Sequence, residues 1–321
     1  MGDSRQAKVL ALKVVALVFL AVVSYAAIWW VCMVTFIRQD LYLAAAIDKE
    51  KLLKNTPSPK MVFVGGSNLA FGLDSARLHA AFKMPVVNMG LHGGVGLKFM
   101  LDQVAPYLGE GDILVMVPEY QHFVGDSFFG GEPLIEVAAV TRRWSHLVGM
   151  PPLNLTKAAL NGNSIFDKPV TALMEKLNLT QANQARPGAL RYSRSGFNGY
   201  GDEIAHLVLP NKKLYGGVVL TNDINQNALK YIKAYNAARS TAGVTILMVY
   251  PCLEQSYYQN NAEAIAAIAG ALKEAGIQTL SAPQDFVYDN GMFFDTIYHM
   301  NAKGRELRTG RMIETLMGAL N

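Results

Sequence analysis

Apolar positions in this chain follow two rhythms. From Val14 to Ile37 they run on without a charge, bounded by Lys13 and Arg38. Twenty-four residues at about 1.5 Å each span roughly 36 Å, enough for the hydrocarbon core of a bilayer. From Met61 onward, short apolar bursts alternate with segments of helical period. Strands are predicted at 61–64, 85–89, 112–117 and 244–250, with a fifth near 277–280. Helices are predicted at 69–82, 95–107, 224–242, 260–275 and 304–320. Such alternation specifies an α/β fold, a parallel sheet flanked by helices on both faces, here preceded by an N-terminal transmembrane helix. Ligands of such sheets bind beyond the carboxyl ends of the strands. Ser67, Gly90 and Glu119 all fall at such ends.

The same pattern divides the chain. Residues 1–38 read as a membrane anchor, 39–60 as a juxtamembrane linker with a partly periodic helix, and 61–321 as the main domain. Pro57-Ser58-Pro59 separates linker from domain. A stretch at about 124–217, rich in Gly, Pro and Asn, interrupts the alternation as an insertion at the site end of the sheet. It reads equally as a lid or sugar-binding lip and as a loop packed on the surface. Asn154 and Asn178 each begin a glycosylation tripeptide of the kind that arises easily by chance. The apolar run has two rival readings, a cleaved signal peptide and a buried core helix. It is longer than a signal h-region, and Tyr25, Trp29 and Trp30 suit the interfacial end of an uncleaved anchor. Flanking charge does not orient it. Arg5, Lys8 and Lys13 precede the run, and Arg38, Lys49, Lys51 and Lys54 follow it.

Composition changes little in this picture. The 321 residues are 51% hydrophobic, enough for one large domain with a buried core. The mean hydropathy of +0.18 owes its excess to the apolar run. A net charge of +4 with scattered Lys and Arg argues against nucleic-acid binding. Cys32 lies in the span and Cys252 in the domain, so no intramolecular disulfide joins them, and low cysteine use is compatible with a periplasm or cell surface. No Cys-x-x-Cys or His-Glu-x-x-His spacing marks a metal site, and no cofactor motif is present.

The chemistry concentrates in three blocks. Val62-Phe63-Val64-Gly65-Gly66-Ser67-Asn68 reads as a buried strand turning sharply into a helix with a hydroxyl at the turn. That arrangement suits a nucleophile, a phosphate cradle or a plain capped turn. Asp295 and His299 stand four residues apart before the last helix, as an orienter and a general base do, or as a capping Asp beside a surface His. Val86-Val87-Asn88-Met89-Gly90 is a second strand ending in glycine.

In that order the three blocks resemble the SGNH (Gly-Asp-Ser-Leu-type) hydrolase superfamily, whose sheet is flavodoxin-like. The resemblance covers most of the chain after Met61. It implies Ser67 as nucleophile, His299 as base, Asp295 as its orienter, and the N–H groups of Ser67 and Gly90 as an oxyanion hole. The Tyr-His-hydrophobe-Asn sequence at Tyr298–Asn301 resembles membrane-tethered members that modify cell-envelope polymers, such as the D-alanine transfer and alginate O-acetylation proteins. Their likeness implies a serine esterase or O-acyltransferase, with acetyl as acyl group and an exported polysaccharide as substrate. It also implies a membrane-bound O-acyltransferase as partner, and a domain facing the periplasm or cell exterior from the bacterial inner membrane.

The chain departs from the family in two places. The Gly-x-Asn-Asp block that supplies an Asn donor is replaced by Pro118-Glu119-Tyr120-Gln121-His122, and an ionised glutamate only accepts. Three residues rather than two separate Asp295 from His299. The first departure keeps open an alternative, a scaffold that binds glycan or a partner without turnover. Asn68, Asn88, His92, Glu119, Tyr120, His122 and Tyr298 are the further residues expected to touch substrate or support those that do. Each also has an ordinary reading: Asn68 as a cap, His92 as a loop residue bonded to backbone, Cys252 as a small buried residue.

Overall fold

The computed structural model describes residues 2–32, 38–160, 174, 177, 192–217 and 219–320. The Asn178 tripeptide, most of the 161–191 stretch of the insertion, and the end of the apolar run at 33–37 lie outside them. Helix α1 (Gly2–Cys32) carries the apolar run as far as Cys32, and its segment Gln6–Cys32 is long and apolar enough to cross a membrane.

The domain is an α/β structure built on a parallel four-stranded sheet. Its strands are β1 (Met61–Gly65), β2 (Val86–Asn88), β3 (Ile113–Val117) and β4 (Thr245–Met248), in the order β2-β1-β3-β4. Alternation along each strand splits the core in two. Val62, Val64, Leu114 and Met116 face one hydrophobic cluster, and Met61, Phe63, Val115 and Val117 face the other. With both faces covered, all five residues of β1 are buried, which is why its sequence is a continuous apolar run rather than an alternating one.

Helices close both faces. On one side lie α2 (Ala45–Asn55), α5 (Leu97–Val104), α6 (Glu132–Thr141), α7 (Gln226–Thr241) and α8 (Ala262–Glu274), through side chains such as Leu53, Leu101, Val137, Ile232 and Ile268. On the other lie α4 (Ser75–Phe82) and α9 (Ala302–Leu320), through Leu78, Met312 and Leu316. The helix expected at 69–82 is divided into α3 (Ser67–Gly72) and α4, because Asp74 caps α4 by accepting from the Arg77 N–H at 3.2 Å. The fifth strand expected near 277–280 does not form. That segment contributes one sheet-like bond, Leu280 N–H to Met248 O at 2.8 Å.

The linker expected over 39–60 is also revised. Tyr42, Leu43, Ala45, Ala46 and Leu53 belong to the main core cluster. Lys49, 2% exposed, donates from α2 to the carbonyls of Asn88 (2.8 Å) and Gly201. The domain core therefore begins before Met61.

Part of the insertion is structural as well. Asp202 is fully buried and accepts from the Ser75 N–H (3.0 Å), Asn88 Nδ2 (2.9 Å), Asn198 Nδ2 (3.2 Å) and Arg305 Nη2 (3.1 Å). One carboxylate thus ties α4, β2, the insertion and α9 together.

Candidate active site

Ser67 follows β1 at the first position of α3, with Gly66 as the residue before it in extended conformation. Neither Gly65 nor Gly66 has a positive φ. Their lack of a Cβ serves close approach: a Cβ on Gly65 would strike the Val117 carbonyl, and one on Gly66 would strike the Glu119 carboxylate. β1 and β3 are neighbours, so their carboxyl ends bring Ser67 and Glu119 together. These two strands lead to opposite sides of the sheet order, where such sheets open a crevice.

A cleft of about 310 Å³ opens at this point. Ser67, Glu119 and Gln121 line it from the strand ends, His92 and Gly93 from the loop after β2, and Tyr298 and His299 from the C-terminal loop. The insertion adds Tyr192, Tyr215, Gly216 and Gly217. Tyr42 and Phe71 complete the wall.

His299 and Asp295 form a bonded pair: Nδ1 lies 2.9 Å from Asp295 Oδ1. A proton on Nδ1 leaves the Nε2 lone pair for the cleft. The Tyr192 hydroxyl donates to Asp295 Oδ2 and lies 3.3 Å from His299 Nδ1. Burial raises the Asp295 carboxyl, but the bonds and charge of His299 and the Tyr192 hydroxyl outweigh it and hold the group below its ordinary value. Burial, followed by the Asp295 carboxylate, pushes the Tyr192 phenol up, so it stays a neutral donor. The loop itself is anchored by the strap at 212–217, with Lys212 N–H donating to Phe294 O (2.6 Å) and Tyr215 N–H to Asp295 O (2.8 Å). The Thr296 hydroxyl accepts the His299 N–H at 3.1 Å.

Ser67 and His299 share the cleft, but no hydrogen bond joins them among the described residues. The Ser67 hydroxyl donates to Glu119 Oε1 at 3.4 Å. The same oxygen accepts from the Asn68 N–H (3.2 Å) and Asn68 Nδ2 (3.4 Å), and Oε2 accepts from Gln121 Nε2 (3.1 Å). Glu119 is 2% exposed, a carboxylate set beside the serine hydroxyl.

Gly90 is not on the cleft wall. Its N–H donates to Asn88 Oδ1 at 2.9 Å, so it does not present that proton to an oxyanion, and the glycine of this loop that lines the cleft is Gly93. Asn88 is fully buried and holds Leu69 O and Asp202 with its Nδ2. Asn68 is fully buried too: its Oδ1 accepts from Arg308 Nη2 at 2.8 Å and its Nδ2 donates to Val117 O at 3.2 Å. Tyr120 is buried against Tyr250, with ring centroids 5.9 Å apart. These residues support the site from behind and do not touch the cleft.

His122 behaves likewise. Its Nδ1 accepts from the Glu119 N–H at 3.1 Å, and its Nε2 donates to Gly93 O at 2.8 Å. Burial lowers its pKa, in keeping with a neutral ring that fixes Glu119 and Gly93. His92 and Tyr298 do line the cleft. Cys252 is fully buried, its thiol pushed up to about 11 by burial. Phe71, Tyr42 and Gly93 are cleft residues that motif reading missed. Only Phe71 carried a local signal, four residues after Ser67 on the same helix face.

No family model matches the chain, and none of the curated proteins matches it.

Proposed function

We propose that the chain is a membrane-anchored, SGNH-like serine esterase or O-acyltransferase. The observation that carries this reading is the Asp295–His299 pair, tied through Nδ1 and sharing one cleft with Ser67. In the proposed reaction Ser67 turns from Glu119 toward His299, as catalytic hydrogen bonds often tighten only with substrate bound. Its Oγ attacks the ester carbonyl carbon while His299 Nε2 takes its proton. Asp295 holds the imidazole in the required tautomer and stabilises the imidazolium. The tetrahedral adduct collapses, the alcohol leaves with the proton from His299, and an acyl-serine remains. Water or an acceptor hydroxyl, deprotonated by His299, then releases the acyl group.

The substrate proposed is an acylated cell-envelope or exported polysaccharide, acetyl being the acyl group that the sequence resemblance favours. Tyr42, Tyr192, Tyr215 and Tyr298 around the cleft suit sugar faces and hydroxyls. The anchor is proposed to hold the domain on the periplasmic or outer side of a bacterial inner membrane, beside a membrane-bound O-acyltransferase that supplies the acyl group.

A second reading is a binding scaffold without turnover. It is favoured by Glu119 accepting from Ser67 and Asn68, and by the engaged Gly90 N–H, which leave the oxyanion position poor in donors. A missing donor costs about 3 kcal/mol of transition-state stabilisation. A fluorophosphonate probe separates the two. Labelling of the full chain that disappears in Ser67→Ala and His299→Ala is expected of the enzyme. An unlabelled wild type, or labelling that survives Ser67→Ala, would overturn it.

A further inference from the structure

A second cavity, of about 480 Å³, lies where the apolar helix meets the domain. Its wall carries Arg38, Lys51, Lys54 and Arg143, with Asn55 and Tyr107 as neutral polar groups. One carboxylate lines it, Glu50, and it is already engaged: the Tyr107 hydroxyl donates to it at 2.7 Å and Arg143 pairs with it. Lys51 and Lys54 are exposed and unopposed by any ion pair among the described residues. Arg194 adjoins the cavity by donating to the Arg38 carbonyl at 2.6 Å, its own charge being met by Asp48. Arg38 Nε is buried with no partner among the described residues. Burial, and then the like charges of Arg142 and Arg194, lower the Arg38 guanidinium from its ordinary value.

The position of this cavity matters as much as its charge. Arg38 follows the last residue of the apolar helix, Cys32, by six positions. Trp29 packs with Leu41, Ala44, Ala139 and Val140, and Arg142 stands over the Trp30 ring at 4.8 Å. The tryptophan end of the helix is thereby seated against α6, next to the cavity. Tryptophans at the end of a spanning helix sit at headgroup level. With the helix across a bilayer, a basic cavity beside those tryptophans would face lipid phosphates, and each Lys or Arg near an anionic surface gains about 1 kcal/mol.

We propose that this cavity binds the phosphate of an anionic phospholipid headgroup, and so seats the domain against the membrane in a defined orientation. The ligand chemistry is a phosphate group, borne by a bilayer lipid or by a soluble molecule. The proposal rests on the membrane anchor and is independent of the acyl chemistry.

The test uses the full chain in neutral detergent, titrated with short-chain phosphatidylglycerol or phosphatidylcholine and read by native mass spectrometry. Phosphatidylglycerol is expected to bind at least tenfold more tightly. Lys51→Glu with Lys54→Glu should weaken it on the order of fivefold for each charge. Lys230→Glu with Lys233→Glu, exposed on α7, should leave it unchanged. Inorganic phosphate that displaces the lipid at low millimolar concentration would assign the site to soluble phosphates and overturn the lipid as ligand. Failure to displace supports the lipid. Equal affinity for the two lipids, or no effect of the charge reversal, would overturn the site altogether. Probe labelling of Ser67 in the same samples reports the acyl chemistry separately.

Discussion

Phe71 lies flat on His299, with ring centroids 3.9 Å apart and planes 6° apart. Phe71 is four residues beyond Ser67 on α3, so the helix that carries the proposed nucleophile also carries the platform for the proposed base. The stack and the Asp295 bond fix the imidazole on two sides. Phe71→Leu keeps an apolar side chain but loses the flat surface. It is expected to slow fluorophosphonate labelling by roughly tenfold, while Phe71→Ala also lowers unfolding stability by about 3–5 kcal/mol. Chemical denaturation alongside labelling distinguishes the two effects.

Tyr192 gives Asp295 a second hydrogen bond from the insertion. Tyr192→Phe removes that bond and nothing else of similar size. Bonds to charged groups are worth about 1.5–3 kcal/mol. The variant is expected to lose roughly 10- to 100-fold in kcat toward a small acetyl ester, with KM nearly unchanged. Asp295→Asn should be more damaging, because the imidazole then takes the wrong tautomer. Equal kcat for Tyr192→Phe and wild type would remove Tyr192 from the support of the Asp295–His299 pair.

Glu119 accepts from the Ser67 hydroxyl at 3.4 Å, and no hydrogen bond joins Ser67 to His299 among the described residues. In Glu119→Gln the side chain keeps its shape, loses its charge and gains a donor. Labelling of Ser67 should be preserved or faster in this variant. If Glu119 instead contacts a sugar hydroxyl, turnover of a polymer substrate should fall while labelling persists.

Lys49 links stability to pH. Burial lowers it to about 7, against the opposing attraction of Asp202 and Asp48. Between that value and the ordinary lysine pKa near 10.4, the unfolded chain holds a proton that the folded chain has released. Stability contributed by this group therefore rises as pH rises from about 7 toward 10, and its burial cost is fully present below pH 7. Lys49→Met should flatten that rise in thermal melts taken across pH 7–9. It should also lower stability overall, because the Asn88 and Gly201 carbonyls lose their donor.

Truncation tests the revised boundary. A chain of residues 39–321 retains Tyr42, Leu43, Lys49 and Leu53, and should be soluble and cooperatively folded. A chain beginning at Met61 removes those side chains from the core and should aggregate. A cooperative melt of the shorter chain would restore the boundary to Met61.

The sequence by itself determined the four strands and most helices, because burial on both sheet faces requires uninterrupted apolar runs such as Val62-Phe63-Val64. It also determined the long apolar helix, and it singled out Ser67, Asp295 and His299, whose residue types at strand ends and before a capped helix are local features. What only the tertiary structure decided depends on contacts between distant segments. The engagement of the Gly90 N–H by Asn88, the placement of Gly93 on the cleft and the closure of Glu119 on Ser67 and Asn68 rest on how the loops after β2 and β3 cross. Tyr192 reaches Asp295 across 103 residues, and Lys49 reaches Gly201 across 152. Local sequence pattern records periodicity and turn chemistry within a few residues. A hydrogen bond between loops is set by where the whole sheet and its helices leave them, and no short-range pattern carries that information.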